Sequence, residues 1–325
     1  MIIRNFDYFI SKLEQEVADG ITVKHGKGRI RFIHTLMWIA IFMLATISAI
    51  TVGAAVAVLP AIIAFQLICS IIFLWTSRIR IKKQLRIRLF GVADGVNLSK
   101  SEREEKIYTI TVLLCKKLKI KKVPQLGVHY DECMNAFATG PSRNKGLISF
   151  TSRSMEEESD ESIVATIGHE LAHIANGDMT ASILIHGFVS SLLFVLSIPL
   201  RVLIWFANWF LRNVDYAWIG AILSFIMTVI LDFIIFSTTK LIVLAHSRRR
   251  EFRADLLSAK LVGKDSMIHC LEFLRGNIQP TIHPQTATMN FIGPERFLDI
   301  FSTHPSIKRR LNYVNKKMKA NKQGE

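Results

Sequence analysis

The residues with the clearest chemical content are Gly168-His169-Glu170-Leu171-Ala172-His173. On a helix, His169 and His173 project from one face about 6 Å apart along the axis, so both imidazoles can reach one metal ion. Glu170 is turned about 100° from His169. It cannot easily share the metal as a ligand, but it can approach a metal-bound water as a general base. This HExxH spacing is that of zinc hydrolases. The bland alternative is a pair of core or surface histidines on an ordinary helix.

A catalytic zinc ion needs three protein ligands and one open position for water, so a third ligand must come from elsewhere in the chain. Downstream the sequence reads Ser247-Arg248-Arg249-Arg250-Glu251-Phe252-Arg253-Ala254-Asp255, which places Glu251 and Asp255 four apart on one helical face. The helix of the histidines runs into one apolar stretch, and this second helix follows from the next. An apolar hairpin therefore returns the chain to the surface it left and turns a long sequence separation into a short distance. Glu251 is expected as the third ligand and Asp255 as the acceptor for a liganding imidazole N–H. His246 is the rival ligand. The competing explanation is that Glu251 and Asp255 only neutralise Arg248 to Arg253 through i,i+4 pairs.

Two other segments could serve such a site. Asn135 to Gly140 reads as an exposed strand, and extended peptides are commonly held by adding to a strand edge, which makes Asn135, Ala136, Phe137 and Ala138 candidate substrate contacts. An ordinary structural strand is the alternative. His304 stands before Pro305, where a donor could stabilise a tetrahedral oxyanion; a loop histidine without function fits the same residues.

The elements that must position these residues are set by composition. The chain has 325 residues, half of them apolar, and a formal charge of +15 from 41 Lys and Arg against 26 Asp and Glu. Its mean hydropathy is +0.31. A positive mean hydropathy with so large a cationic excess crowds the charge into a few segments, which is the pattern of a membrane protein. The apolar content excludes disorder, and four dispersed cysteines exclude a disulfide scaffold. Reduced thiols on the cytosolic side fit them best.

No Asp, Glu, Lys or Arg occurs from Phe32 to Ser77. As one helix this run would be about 69 Å long, over twice the roughly 30 Å hydrocarbon thickness, so it must fold back. Gly53 and Pro60 bracket the turn. A second charge-free run covers Met179 to Leu200, and a third, Tyr216 to Thr239, is broken only by Asp232. Arg201 to Asp215 reads as the connection between them, with Trp205, Trp209 and Trp218 at lipid-water boundaries. Four spans result. His186 and Asp232 fall at similar depth in spans three and four and are candidates to pair.

Cations cluster at Lys24 to Arg31, Arg78 to Arg88 and Arg248 to Arg250, whereas the predicted external loops carry few. The positive-inside rule then puts both termini and all large polar segments in the cytosol of a multi-pass cell-membrane protein. Nucleic-acid binding is the competing use of basic charge, and it is not expected because the clusters abut the spans. Ser101 and Glu104 signal the start of a helix through about Leu118, and Asp160 and Glu161 the first turn of the helix that Asn176-Gly177 ends. Gln125 to His129, Asn135 to Thr139 and Gly146 to Thr151 read as short strands.

Four motifs in order, Asn135-Ala136-Phe137-Ala138-Thr139-Gly140, GHELAHIANGD from Gly168 to Asp178, SRRREFRAD from Ser247 to Asp255, and Ser302-Thr303-His304-Pro305, resemble those of the HtpX-like integral-membrane zinc metallopeptidases, relatives of the CAAX prenyl endopeptidases. The resemblance covers Phe32 to about Val314. It implies that Glu251, the Glu of an EFxAD motif, is the third zinc ligand. It also favours a site role for His304 and for the strand at Asn135, and it implies endoproteolytic quality control of membrane proteins at the cytosolic face.

The expected protein is mainly α: four transmembrane helices and a cytosolic α+β zincin-like protease domain with a small β-sheet. Its parts are a cytosolic extension over residues 1–31, membrane hairpins over 32–77 and 179–239, and the two halves of the protease domain over 78–178 and 240–325. The expected function is zinc-dependent cleavage of misfolded or damaged membrane proteins at the cytosolic face of the membrane, as protein quality control, with one catalytic Zn2+ held by His169, His173 and Glu251 and with Glu170 as base. A CAAX-type processing protease for lipid-modified or membrane-associated peptides and a non-catalytic zinc-binding membrane scaffold are the alternatives. The departure from the usual pattern is the extension before the first span, which has the look of an extramembrane helix.

Overall fold

A computed structural model describes residues 4–24, 58–93, 95–211, 217–276 and 305–322. The expected first span, from His34 to Ile50, lies outside these residues, as does His304. The chain divides into two compact units, one of Met1–Arg31, Phe73–Ala181 and His246–Glu325, the other of Phe32–Ile72 and Ser182–Ala245.

The first unit carries a four-stranded mixed sheet of order β1-β4-β6-β5. Its strands are β1 (Arg88–Phe90), β4 (Gln125–His129), β5 (Ala136–Thr139) and β6 (Leu147–Thr151). β4 and β6 are parallel, while β1 and β5 run antiparallel to their neighbours and form the two edges. β6 is buried at every position, which matches its near-continuous apolar sequence at the centre of the sheet. β1 and the small hairpin of β2 (Val92–Ala93) and β3 (Val96–Asn97) gave no clear sequence signal, because each is only two or three residues long.

Among the described residues, six helices are complete within this unit. They are α1 (Phe6–Ala18), α3 (Glu102–Lys117), α4 (Ser152–Glu157), α5 (Asp160–Asn176) and, further on, α8 (Lys264–Gly276), with α9 (Ile307–Lys322) closing the chain. Ser101 caps α3 by accepting from the Glu104 N–H, as its sequence predicts. The reciprocal arm differs from a standard capping box: Glu104 accepts from the Lys100 N–H at 2.7 Å and binds Arg88 of β1 at 2.5 Å. Its side chain thus ties the helix start to the sheet.

The N-terminal segment is part of this core. Phe6, Phe9 and Leu13 of α1 are buried against Ile107, Ile110 and Leu114 of α3 in the same apolar cluster as Ile163 and Ile167 of α5. Polar contacts extend the seam: Arg4 reaches Glu161 at 3.3 Å and the Phe6 N–H donates to Asp160 at 3.3 Å. Lys117, buried, donates to Glu16 at 2.5 Å and to the Leu261 carbonyl at 2.8 Å. Cys115, Cys133 and Cys270 are buried and unbridged. Burial pushes the Cys115 thiol up to about 12 and that of Cys270 to about 11, so both stay protonated and inert.

Among the described residues, three helices are long and apolar: α2 (Val58–Gln84), α6 (Asp178–Leu211) and α7 (Ala217–Val262). Pro60 sits in the first turn of α2, where its missing N–H costs nothing. Within the described residues, Trp218–Val262 is long and apolar enough to cross a membrane. The second unit presents Phe65, Trp205, Phe206, Phe225, Phe233 and Phe236 outward, a surface that water does not favour.

Two expectations about these helices are corrected. Arg201 to Asp215 was expected as a loop, but α6 continues to Leu211, since nothing from Arg201 to Leu211 breaks a helix. His186 and Asp232 do not pair. Asp232 instead binds Arg201, whose guanidinium matches a carboxylate in a way a neutral imidazole does not.

Candidate metal centre

Helix α5 begins at Ser159, whose hydroxyl accepts from the Ser162 N–H, with Asp160 and Glu161 favourably placed in its first turn. It ends at Gly177, where φ is 67° and ψ 32°, a left-handed conformation that glycine adopts without strain. Between these ends the helix is buried almost all round, packed on α8, β5, α3 and α1. A helix so enclosed is held rigidly, which is what a site built on it requires.

The approach of α7 to α5 depends on Gly168. A Cβ there would lie 2.7 Å from Ser258 Oγ and 3.4 Å from Ser258 Cβ. Ser258 Oγ is itself occupied, donating to the Ala165 carbonyl at 2.8 Å. The glycine before HExxH thus permits a close crossing two turns from Glu251.

That crossing brings His169, His173 and Glu251 together. His169 Nε2 lies 3.1 Å from His173 Nε2 and 3.4 Å from Glu251 Oε2, and His173 Nε2 lies 3.5 Å from Glu251 Oε1. Adjacent ligands of a tetrahedral zinc ion, with bonds of about 2.0–2.1 Å, are about 3.3–3.4 Å apart. The donor set and its spacing therefore fit such an ion. His246, the rival, is not part of the cluster.

Exposure supports the same conclusion: His169 is 7% exposed, Glu170 7%, His173 8%, Glu251 1% and Asp255 0%. Carboxylates buried this deeply require a cation or equivalent donors. Burial opposes a charged His169, but hydrogen bonds to Asp255 and Glu251 outweigh it and push the imidazole up to about 10. The cavity favours positive charge at the point where the donors converge.

Each imidazole is backed by a carboxylate. Asp255 lies 2.9 Å from His169 Nδ1. Asp178 lies 2.9 Å from His173 Nδ1. Asp255 is in turn gripped by Arg310 of α9, through Nε at 2.8 Å and Nη2 at 2.6 Å. Burial would raise the Asp255 carboxyl, yet Arg310 and His169 hold it below the usual carboxylate range. The partners of Glu251 and Asp255 are thus chiefly the histidines and Arg310. Among the neighbouring arginines, Arg250 Nη2 is 4.0 Å from Glu251 Oε1.

Sequence reasoning missed Asp178 and Arg310. Asp178 could have been found as the carboxylate that directly follows the Asn-Gly helix stop. Arg310 lies in the run Lys308-Arg309-Arg310, where nothing marks the one cation that turns inward.

The candidate substrate strand is β5, with one edge unpaired within the sheet and its other edge on β6. It packs on α5. The expectation of an exposed strand needs correction at its side chains. Asn135 and Ala136 are half-buried, but Phe137 is buried against Ile87 and Leu147, and Ala138 is buried in the apolar cluster that includes the helix of the histidines. Only its backbone edge remains for a peptide.

The sequence profile of Peptidase family M48 matches residues 101–318. The Protease HtpX homolog of Bacillus subtilis strain 168 is 32% identical over 262 residues, covering 79% of this chain and 85% of that protein. The Protease HtpX homolog of Albidiferax ferrireducens is 37% identical over 191 residues, 58% of this chain and 64% of that protein. The crystal structure of S. mikatae Ste24p shares the fold, with a TM-score of 0.53 at 17% identity over 86% of this chain and 67% of that one. With the histidine pair and the acidic third donor in place, the chain belongs to peptidase family M48 and is an HtpX-like metallopeptidase.

Proposed function

We propose that this chain is a membrane-embedded, zinc-dependent endopeptidase that cuts unfolded or damaged membrane proteins at the cytosolic face of the cell membrane. The observation that carries the chemistry is the buried triangle of donors from His169, His173 and Glu251, with edges of 3.1 to 3.5 Å, on the helix that also carries Glu170. A zinc ion bound there would supply Lewis acidity toward a water and the scissile carbonyl.

The remaining work falls to the side chains. Glu170 takes a proton from the attacking water on a carboxylate oxygen and returns it to the leaving amine. Asp255 holds His169 through Nδ1, and Arg310 holds Asp255. The free edge of β5, from Asn135 to Ala138, is suited to receive an extended substrate by backbone hydrogen bonds. His304 is the candidate donor to the oxyanion.

The apolar outward faces of α2, α6 and α7 support a place in the bilayer as a multi-pass protein. The cations that abut the apolar runs support a cytosolic protease unit. Substrates then have to present an unfolded segment at the membrane surface, as damaged membrane proteins do.

The test is the purified full-length chain in detergent, assayed for bound metal and for cleavage of one membrane protein in folded and unfolded form. Glu170→Gln should retain one zinc per chain and lose about 100-fold or more of the cleavage of the unfolded form. Equal cleavage by variant and parent, or a parent that binds no metal, would refute the proposal.

A further inference from the structure

We infer that Asp178 is a positioning residue for the metal site, holding the His173 imidazole with Nε2 toward His169 and Glu251. This rests on the metallopeptidase function proposed above and adds to it a residue outside the HExxH and EFxAD motifs.

Asp178 Oδ2 lies 2.9 Å from His173 Nδ1, and its side chain is buried. On the other side Asp178 Oδ1 is 3.5 Å from Arg253 Nη2, and the Asp178 carbonyl accepts from Arg250 Nη1 at 3.4 Å. Residues five apart on a continuous helix are separated by about 140° and about 7.5 Å, out of hydrogen-bonding reach. The left-handed turn at Gly177 removes that separation by ending α5 at Asn176, two residues before Asp178, so that α6 starts with its first carboxylate beside the imidazole.

An acidic residue at the start of a helix has a simpler explanation, since it can accept from free backbone N–H groups there. Asp178 differs because one of its oxygens meets the imidazole and the other faces a guanidinium. The same arrangement occurs at the other histidine, where Asp255 lies 2.9 Å from His169 Nδ1 and is held by Arg310. Both imidazoles therefore have a carboxylate oxygen 2.9 Å from Nδ1. This leaves each Nε2 lone pair for a metal and makes the ring a stronger donor. The two carboxylates differ in their cations: Arg310 binds Asp255 through two nitrogens at 2.6 and 2.8 Å, whereas Arg253 Nη2 only stands near Asp178, at 3.5 Å.

The experiment measures zinc affinity of the full-length chain in detergent by competition with a chromogenic chelator, alongside thermal stability of the metal-free form. Asp178→Ala is expected to weaken zinc binding on the order of 10- to 100-fold. Asp178→Asn keeps an acceptor oxygen but loses the charge, so a loss of roughly 3- to 10-fold is expected, placing it between parent and alanine. A merely structural role would lower metal-free stability without this graded loss of affinity. Parental affinity in every folded Asp178 variant would overturn the inference while leaving the metal centre intact. If Asp178→Ala does not fold, parental affinity in Asp178→Asn alone overturns it. A parent that binds no zinc would instead remove the metal centre on which the inference rests.

Discussion

Arg310 offers the sharpest test of how the site is held. Its guanidinium makes two charge-assisted bonds, at 2.8 and 2.6 Å, to a carboxylate with no solvent exposure. Arg310→Ala would leave Asp255 buried with His169 as its remaining ionic partner. Breaking a buried ion pair on one side costs about 3–5 kcal/mol, against at most about 1 kcal/mol for an exposed pair. Arg310→Lys keeps the charge but not the two-pronged geometry, so about half the alanine loss is expected. The same release of Asp255 frees the His169 ring to turn, and zinc affinity should fall roughly 10-fold. Equilibrium unfolding of the metal-free full-length chain in detergent measures the first effect and chelator competition the second. A loss below about 1 kcal/mol for Arg310→Ala would show that α9 does not supply this contact, and the account of Asp255 would fail with it.

Two further outcomes follow from buried groups away from the metal. Burial pushes Glu158 up to about 7 from an ordinary value of 4.5, despite hydrogen bonds from Ser154 and Ser162 and the charge of Arg103. Between those values the folded chain keeps a proton that the unfolded chain releases, so stability is fully present below pH about 4.5 and falls by about 3 kcal/mol as pH rises to about 7. Glu158→Gln should flatten that part of the stability-pH curve in thermal unfolding, and an unchanged slope would contradict the burial. Phe9→Ala, in a helix outside the segment that defines the family, should lower stability by about 3–5 kcal/mol through loss of a fully buried ring. A loss below about 1 kcal/mol would mean that α1 is not part of the core.

Local chemistry makes much of this protein legible in its sequence. Helix ends were readable because their signals are local: Ser101 with Glu104, the first-turn carboxylates Asp160 and Glu161, and Asn176-Gly177 as the stop. The strands of Gln125, Ala136 and Leu147 were readable for the same reason, bounded by turn residues. His169, Glu170 and His173 declared themselves because one helical turn sets their spacing. Glu251 followed because two apolar helices must bring the chain back to where it left.

What required the tertiary structure were choices among chemically equal residues. Nothing local separates Arg310 from Lys308 and Arg309, and it is the packing of α9 on α8 that turns one cation inward to Asp255. Nothing local shows that the N-terminal helix belongs to the protease core, because its apolar face gains a partner only when α3 and α5 are assembled. Asp232 found Arg201 rather than His186 because α6 extends a further eleven residues as helix, and pairing in an apolar setting follows which guanidinium reaches the carboxylate. Motif spacing is set by bonds along the chain and can be read from it. Which distant side chain completes a buried charge depends on how the helices cross, and that is a property of the packed core alone.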